Sequence, residues 1–272
     1  MTHELKFDKP GFAERIKSML GVDFYRLFHT PLFYIFIAIA AIIPAMILGM
    51  TTIETAEGAK PLYENTWQVI AAKTPLYVVN DIADYANMNM VFIFGGIMVS
   101  IFIGNDYRSG YVKQLFTTHA KKQDYMISKT IVCAFSMACM CVTYLLGSVI
   151  AGVLVSASME VNVGSLIFAI LGKIVMSLGW ASLYTFLNVI FRKFFGVSIV
   201  SSFFFGTGIL IIGAAAIIGN NAALNIFLYG SSVYACLGAN IVTFIVCLAC
   251  SALWTLVYNV LGTYILSKSD VY

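Results

Sequence analysis

The run LFYIFIAIAAIIPAMILGM, residues 32–50, decides the fold of this chain. It holds no charged side chain, and at a rise of about 1.5 Å per residue it is long enough to cross the roughly 30 Å hydrocarbon core of a bilayer as one helix. Pro44 lies inside it, where a membrane helix tolerates a proline because neighbouring groups re-satisfy the freed carbonyl, and a kink is expected there. Five further apolar runs follow, at 88–104, 126–156, 166–191, 197–218 and 239–266. The second run is short and contains Gly95-Gly96, and the third is long enough to tilt or to extend past the bilayer. The 272 residues are 60% hydrophobic and 11% charged, about half the charged share of a soluble domain, which excludes an ordinary soluble fold. The expectation is an all-α membrane protein of six transmembrane helices. No internal repeat or Ser/Gly linker divides it, so residues 1–272 read as one domain: a cytoplasmic interfacial segment over 1–30, the six-span bundle over 31–266 and a short tail over 267–272.

The flanks of the spans set the orientation. Phe12, Ile16, Met19, Leu20, Phe24, Leu27 and Phe28 recur at helical spacing with Arg15, Lys17 and Arg26 between them, the pattern of an amphipathic helix lying in the membrane interface. No short apolar stretch with a small-residue cleavage site precedes it, so the N-terminus is expected to be retained. Thirteen Lys and Arg residues fall on the side of the termini and of the connections between spans two and three and between spans four and five, against Lys60 and Lys73 on the other. Basic residues stay in the cytoplasm, so both termini are expected there. On the opposite side, residues 51–87 form a long acidic connection, with Ile82 and Ala86 at helical spacing towards its end. Residues 219–238 mix Asn and Ser with the apolar stretch 226–229, and suit a re-entrant hairpin before the sixth span.

Missing groups narrow the function. His3, His29 and His119 all lie outside the spans, no HExxH is present, and no span holds a carboxylate, which argues against a zinc or aspartyl membrane protease and against an acid proton relay. A membrane enzyme would need a nucleophile and a base at membrane depth, and neither is found. The fragment Gly172-Lys173-Ile174 lacks the remainder of a phosphate-binding loop. Cys247 and Cys250 form a CxxC without a second ligand pair, and with Cys133, Cys139, Cys141 and Cys236 they read as small packing residues. The net charge of +3 is too small to suggest nucleic acid as a partner.

The informative loop is NDYRSGYVKQLF, residues 105–116, followed by KKQDY at 121–125 and Ser128-Lys129. Tyr111, Val112, Leu115, Phe116 and His119 share a helical face, with Arg108, Lys113, Lys121 and Lys122 around it, so a short amphipathic helix at the membrane surface is expected. By itself this reads equally as a basic loop with interfacial aromatics. The loop resembles that of the type-2 permeases of bacterial ATP-binding cassette exporters. In those an acidic residue after the second span, a glycine, a basic residue, a bulky apolar pair and a basic-x-x-Tyr-x-x-(Ser/Ala)-Lys run follow one another. The counterparts are Asp106, Gly110, Lys113, Leu115-Phe116, Lys122 to Tyr125, and Ser128-Lys129; Lys122 stands where arginine is frequent.

The resemblance covers the whole chain, and it implies a subunit without ATPase activity of its own. A separate dimeric ABC ATPase, which binds the ATP and magnesium, would dock beneath this loop; no cofactor is expected on this chain. Asp106, Arg108, Gly110, Tyr111, Lys113, Leu115 and Phe116 would couple it to transport. A second permease, identical or homologous, would complete a pathway through the bacterial plasma membrane for an amphipathic substrate. The compact, acid-poor chain looks most like lantibiotic and peptide-antibiotic immunity exporters, which confer antibiotic resistance. The alternative is a non-transporting sensor or anchor subunit that keeps the docking loop. Candidate pathway residues are Lys173, Asn188 and Asn259; the competing readings are a lysine snorkelling outward, towards Glu160, and asparagines that bond helix to helix.

Overall fold

The structure is a computed structural model and describes residues 11–50, 52–55, 58–61, 65–71, 73–75, 84–117, 120–156, 158, 163–208 and 225–268. Ten α-helices are present among them: α1 (Phe12–Phe28), α2 (Pro31–Met50), α3 (Thr66–Ala71), α4 (Met90–Arg108), α5 (Tyr111–Thr117), α6 (Lys122–Leu154), α7 (Val163–Ile190), α8 (Phe195–Gly206), α9 (Leu228–Gly238) and α10 (Ile241–Lys268). Five of them, α2, α4, α6, α7 and α10, are long and apolar enough to cross a membrane. Helix α8 covers the first half of the expected fifth span, whose remainder lies outside the described residues. The membrane assignment is reinforced by what the helices leave uncovered. On α10, Leu248, Leu253, Leu256 and Val260 are 49–67% exposed, an apolar face suited to hydrocarbon or to another subunit and not to water.

Pro31 opens α2, where its missing N–H costs nothing, and Pro44 is carried within the same helix. At the centre, α7 packs against α10, α6 and α4, while α2 packs against α6 and α4 against α8. Small residues permit these approaches. A Cβ on Gly147 of α6 would collide with the backbone oxygen of Ala41 in α2, and one on Gly96 would lie 2.7 Å from the ring of Tyr184. Few hydrogen bonds are available in hydrocarbon, and several of those present join helices: Tyr184 OH donates to Phe92 O at 2.9 Å, Trp180 Nε1 to Ser232 Oγ at 2.7 Å and Ser251 Oγ to Val175 O at 2.7 Å.

The connection after α2 departs from an all-helical pattern. Thr52–Thr55 pairs antiparallel with Gly58–Pro61, and Lys73–Pro75 with Asp84–Ala86, with α3 between the two ribbons. Ala86, expected on a helical face, is therefore in a strand, because pairing with Lys73 satisfies its backbone across the connection. Helix α9 is 11 residues long, about 16 Å, too short to span, and it lies against α7 and α10. The opposite arm of the expected hairpin, 219–224, lies outside the described residues. The chain then turns through Ala239 at φ 31° into α10, where Asn240 Oδ1 accepts from Thr243 N and Thr243 Oγ1 from Asn240 N, both at 3.0 Å, a reciprocal cap.

Candidate functional site

Helix α4 runs four residues beyond the expected span, so Asp106 and Arg108 are still helical. Gly110 then takes φ +74°, a left-handed conformation that costs other residues about 1–2 kcal/mol, and redirects the chain into α5. Lys113 N and Gln114 N both donate to Gly110 O and close the first turn of α5.

Beneath this turn lies a buried ionic cluster drawn from three helices. Asp23 of α1, Asp106 of α4 and Lys129 of α6 are fully buried, and Arg26 of α1 reaches in from the edge. Lys129 Nζ is 2.6 Å from Asp23 Oδ1 and 2.6 Å from Asp106 Oδ2, and the guanidinium of Arg26 grips Asp106 Oδ1. Ser128 Oγ donates to Asp23 Oδ2 at 2.7 Å. Two acids and two bases cancel, which makes the burial tolerable. Burial works against the charge on Arg26, but Asp106 more than offsets it by charge and hydrogen bond, so the guanidinium holds its proton above the ordinary arginine value.

Helix α5 lies on this cluster. The Tyr111 ring centroid is 4.1 Å from the Arg26 guanidinium, a cation–π contact, and burial, with Asp23 adding, pushes the Tyr111 phenol above its ordinary pKa. Val112 is buried, and Leu115 and Phe116 are half-buried beside Met19, Tyr125, Met126, Val189 and Leu266, with the Phe116 ring edge-on to Tyr125 at 5.7 Å. The apolar face of α5 is thus turned towards its own bundle. Lys113, Gln114 and Thr117 face outward, and exposed Arg108 lies 5.3 Å from the Phe195 ring. His119 lies outside the described residues. A second tie, Arg15 Nε to Asp124 Oδ2 at 2.7 Å, joins α1 to the first turn of α6, where a carboxylate also suits the helix dipole.

The sequence pattern marks Asp106, and it marks Lys129 as the end of the basic-x-x-Tyr-x-x-(Ser/Ala)-Lys run, but it does not mark Asp23. A signal for Asp23 existed: Met19, Asp23 and Leu27 follow one another at i, i+4, and all three are buried on one face of α1. Lys129 groups with the basic residues of the connection although it is the fourth residue of the run at 126–156; α6 begins at Lys122 and carries it inward to Asp23 and Asp106.

Residues 20–192 match the model of the ABC-2 family transporter protein, from the last two turns of α1 through α7 and therefore over the whole ionic cluster. The chain belongs to the ABC-2 transporter family. No curated protein matches it. As an ABC-2 chain it is a multi-pass membrane permease, the membrane component of an ABC transporter and not a catalytic one, in a family whose members work in general with an ABC ATPase.

The three candidate pathway residues of this ABC-2 permease are not brought together. Asn188 of α7 donates to Ser100 Oγ at 3.1 Å and Tyr184 O at 2.8 Å and accepts from Ser198 Oγ, knotting α7 to α4 and α8. Asn259 of α10 accepts from Thr130 Oγ1 of α6 at 3.2 Å. Both asparagines therefore bond helix to helix. Lys173 is fully buried; its Nζ donates to Asn89 Oδ1 and lies 5.4 Å from the Phe92 ring centroid. Its amine is held inside the bundle; Glu160, towards which it could have snorkelled, lies outside the described residues.

Proposed function

We propose that this permease forms the translocation pathway of an exporter for an amphipathic substrate, a peptide antibiotic or a drug, as in antibiotic immunity. A dimeric ATPase carrying ATP and magnesium docks on α5, and a second permease, identical or homologous, completes the pathway. Six spans cross the plasma membrane with both termini in the cytoplasm. The observation that carries this reading is the seating of α5 on the ionic cluster. A push on α5 reaches α1 through Tyr111 and Arg26, and α6 through Tyr111 and Lys129, whose Nζ lies 5.5 Å from the Tyr111 ring centroid. In this reading Arg108 and Lys113 meet the ATPase, Gly110 sets the angle of α5, and Tyr111, Leu115 and Phe116 hold it to the bundle. Lys173 remains the candidate for a charge that meets substrate.

The test is co-purification of the ATPase with wild-type permease, Arg108→Glu/Lys113→Glu and Leu115→Ala/Phe116→Ala, together with substrate-stimulated ATP hydrolysis in liposomes. Charge reversal should lower capture of the ATPase about tenfold, equivalent to about 1.4 kcal/mol, and the apolar truncation should lower stimulation more than capture. Unchanged capture and stimulation with the charge-reversed permease would remove α5 from the ATPase contact. An ATPase bound by a permease that moves no substrate would favour the sensor reading.

A further inference from the structure

Between α6 and α10, on the side of the bundle that carries α5, lies a groove of about 420 Å³, open sideways to the surrounding hydrocarbon. Its walls are Ile127 and Ile131 of α6 and Leu256 and Val260 of α10, and its floor is Leu178 of α7. It extends from Gln123 to Ile131 on one helix and from Thr263 to Thr255 on the other, about 12 Å at 1.5 Å per residue, most of the depth of one leaflet. Two of the polar groups midway are turned to one another and to the backbone, Thr130 Oγ1 donating to Asn259 Oδ1 at 3.2 Å and Asn259 Nδ2 to Thr255 O at 2.9 Å, while the Thr255 hydroxyl is buried without a hydrogen-bond partner among the described residues. The mouth differs from the interior. Gln123 and Thr263 line it, and Lys121, Lys122 and Lys268 stand at the same ends of the two helices. Lys122 Nζ donates to Leu266 O at 2.6 Å and bridges α6 to α10 at this end. The acidic side chain closest in sequence, Asp124, is turned away to Arg15.

An apolar slot of leaflet depth, polar at its mouth and with Lys121, Lys122 and Lys268 at the same ends of its two helices, has the order of chemistry of an anionic phospholipid: chain, ester, phosphate. We propose that this groove holds one acyl chain of an anionic phospholipid. The ester region lies against Gln123 and Thr263, and the phosphate against Lys121, Lys122 and Lys268. The lipid packs in the seam between α6 and α10 and joins their ends. The inference depends neither on the transported substrate nor on ATPase docking.

Native mass spectrometry of the whole protein, released from detergent with phosphatidylglycerol or phosphatidylcholine added, tests it. With two or three lysines at the headgroup, phosphatidylglycerol should be retained about tenfold or more over phosphatidylcholine. Lys121→Gln/Lys268→Gln should bring the two lipids level, and Val260→Trp, which fills the slot from an exposed position on α10, should reduce retention of both. Thr255→Val should change nothing, because its hydroxyl lies at acyl depth. Three results would overturn the proposal: equal retention of both lipids by the wild type, undiminished phosphatidylglycerol on Val260→Trp, or loss of binding in Thr255→Val, which would point to a polar amphiphile instead of a lipid chain. Elution volume and helical circular dichroism matching wild type confirm that each variant remains folded.

Discussion

Replacing Asp106 by Asn keeps the shape of the side chain and removes one of two buried negative charges, which leaves Arg26 and Lys129 to share Asp23. The Arg26 side chain is 27% exposed and can turn to water, but Lys129 is fully buried and cannot. Breaking a buried pair from one side costs about 3–5 kcal/mol, and the freedom of Arg26 places the expected loss at about 3 kcal/mol. At about 2–4 °C per kcal/mol for a chain of this size, the melting temperature in detergent should fall by about 6–12 °C. Lys129→Met should cost as much, since it strands Asp23 and Asp106 instead. The double variant restores neutrality and leaves Asp23 facing Arg26 at 4.0 Å, so it should lose much less than the sum, with a coupling of about 2 kcal/mol or more. Size-exclusion thermostability of the four proteins completes the cycle. Additive losses, or an Asp106→Asn variant as stable as wild type, would mean that the cluster does not act as one unit.

Gly110→Ala forces a side chain into φ +74° with open space around it, so the strain of about 1–2 kcal/mol is conformational alone; the variant should fold, and should lower ATP hydrolysis stimulated by substrate in liposomes. Cysteines placed at the exposed positions Gln68 and Ser158 should react with an impermeant maleimide in intact cells, and one at Lys121 only after permeabilisation; the reverse pattern would invert the topology. The fold holds Tyr111 as a neutral phenol whose pKa is raised by burial, so its contribution is complete below the free phenol's value of about 10 and is lost as pH rises above it. Tyr111→Phe should flatten that alkaline limb in a melting series from pH 8 to about 11, whereas an unchanged limb would assign it to other groups.

The position of the cluster matters more than its strength. A buried ion pair is a poor source of stability, because desolvation consumes much of the Coulomb gain, yet it penalises any state in which one partner leaves without the other. Asp23, Asp106 and Lys129 come from three helices, and Arg26 carries Tyr111 of a fourth. The interfacial helix, the end of α4, α5 and the start of α6 therefore shift together or not at all. In the function proposed here, that is the property required of a junction between the ATPase and the bundle.

The composition and the uncharged run at 32–50 were enough to determine a membrane bundle, because hydrocarbon admits only helices or closed barrels and the period and length of each run select helices. The amphipathic face of α5 was equally legible, since it is local. Which way that face points was not. Leu115 and Phe116 present the same pattern whether they meet a partner or their own bundle, and only the packing of Met19, Tyr125 and Leu266 around them decides it. Lys129, the fourth residue of an apolar run, groups with the cytoplasmic charges in sequence and is a buried cation in the fold. Its partners lie 106 residues away in α1 and on α4, and one-dimensional patterning carries no information about a carboxylate supplied from another helix. Hydrophobic length is a property of one segment, whereas the neutralisation of a buried charge is a property of several, and it exists only once they are packed.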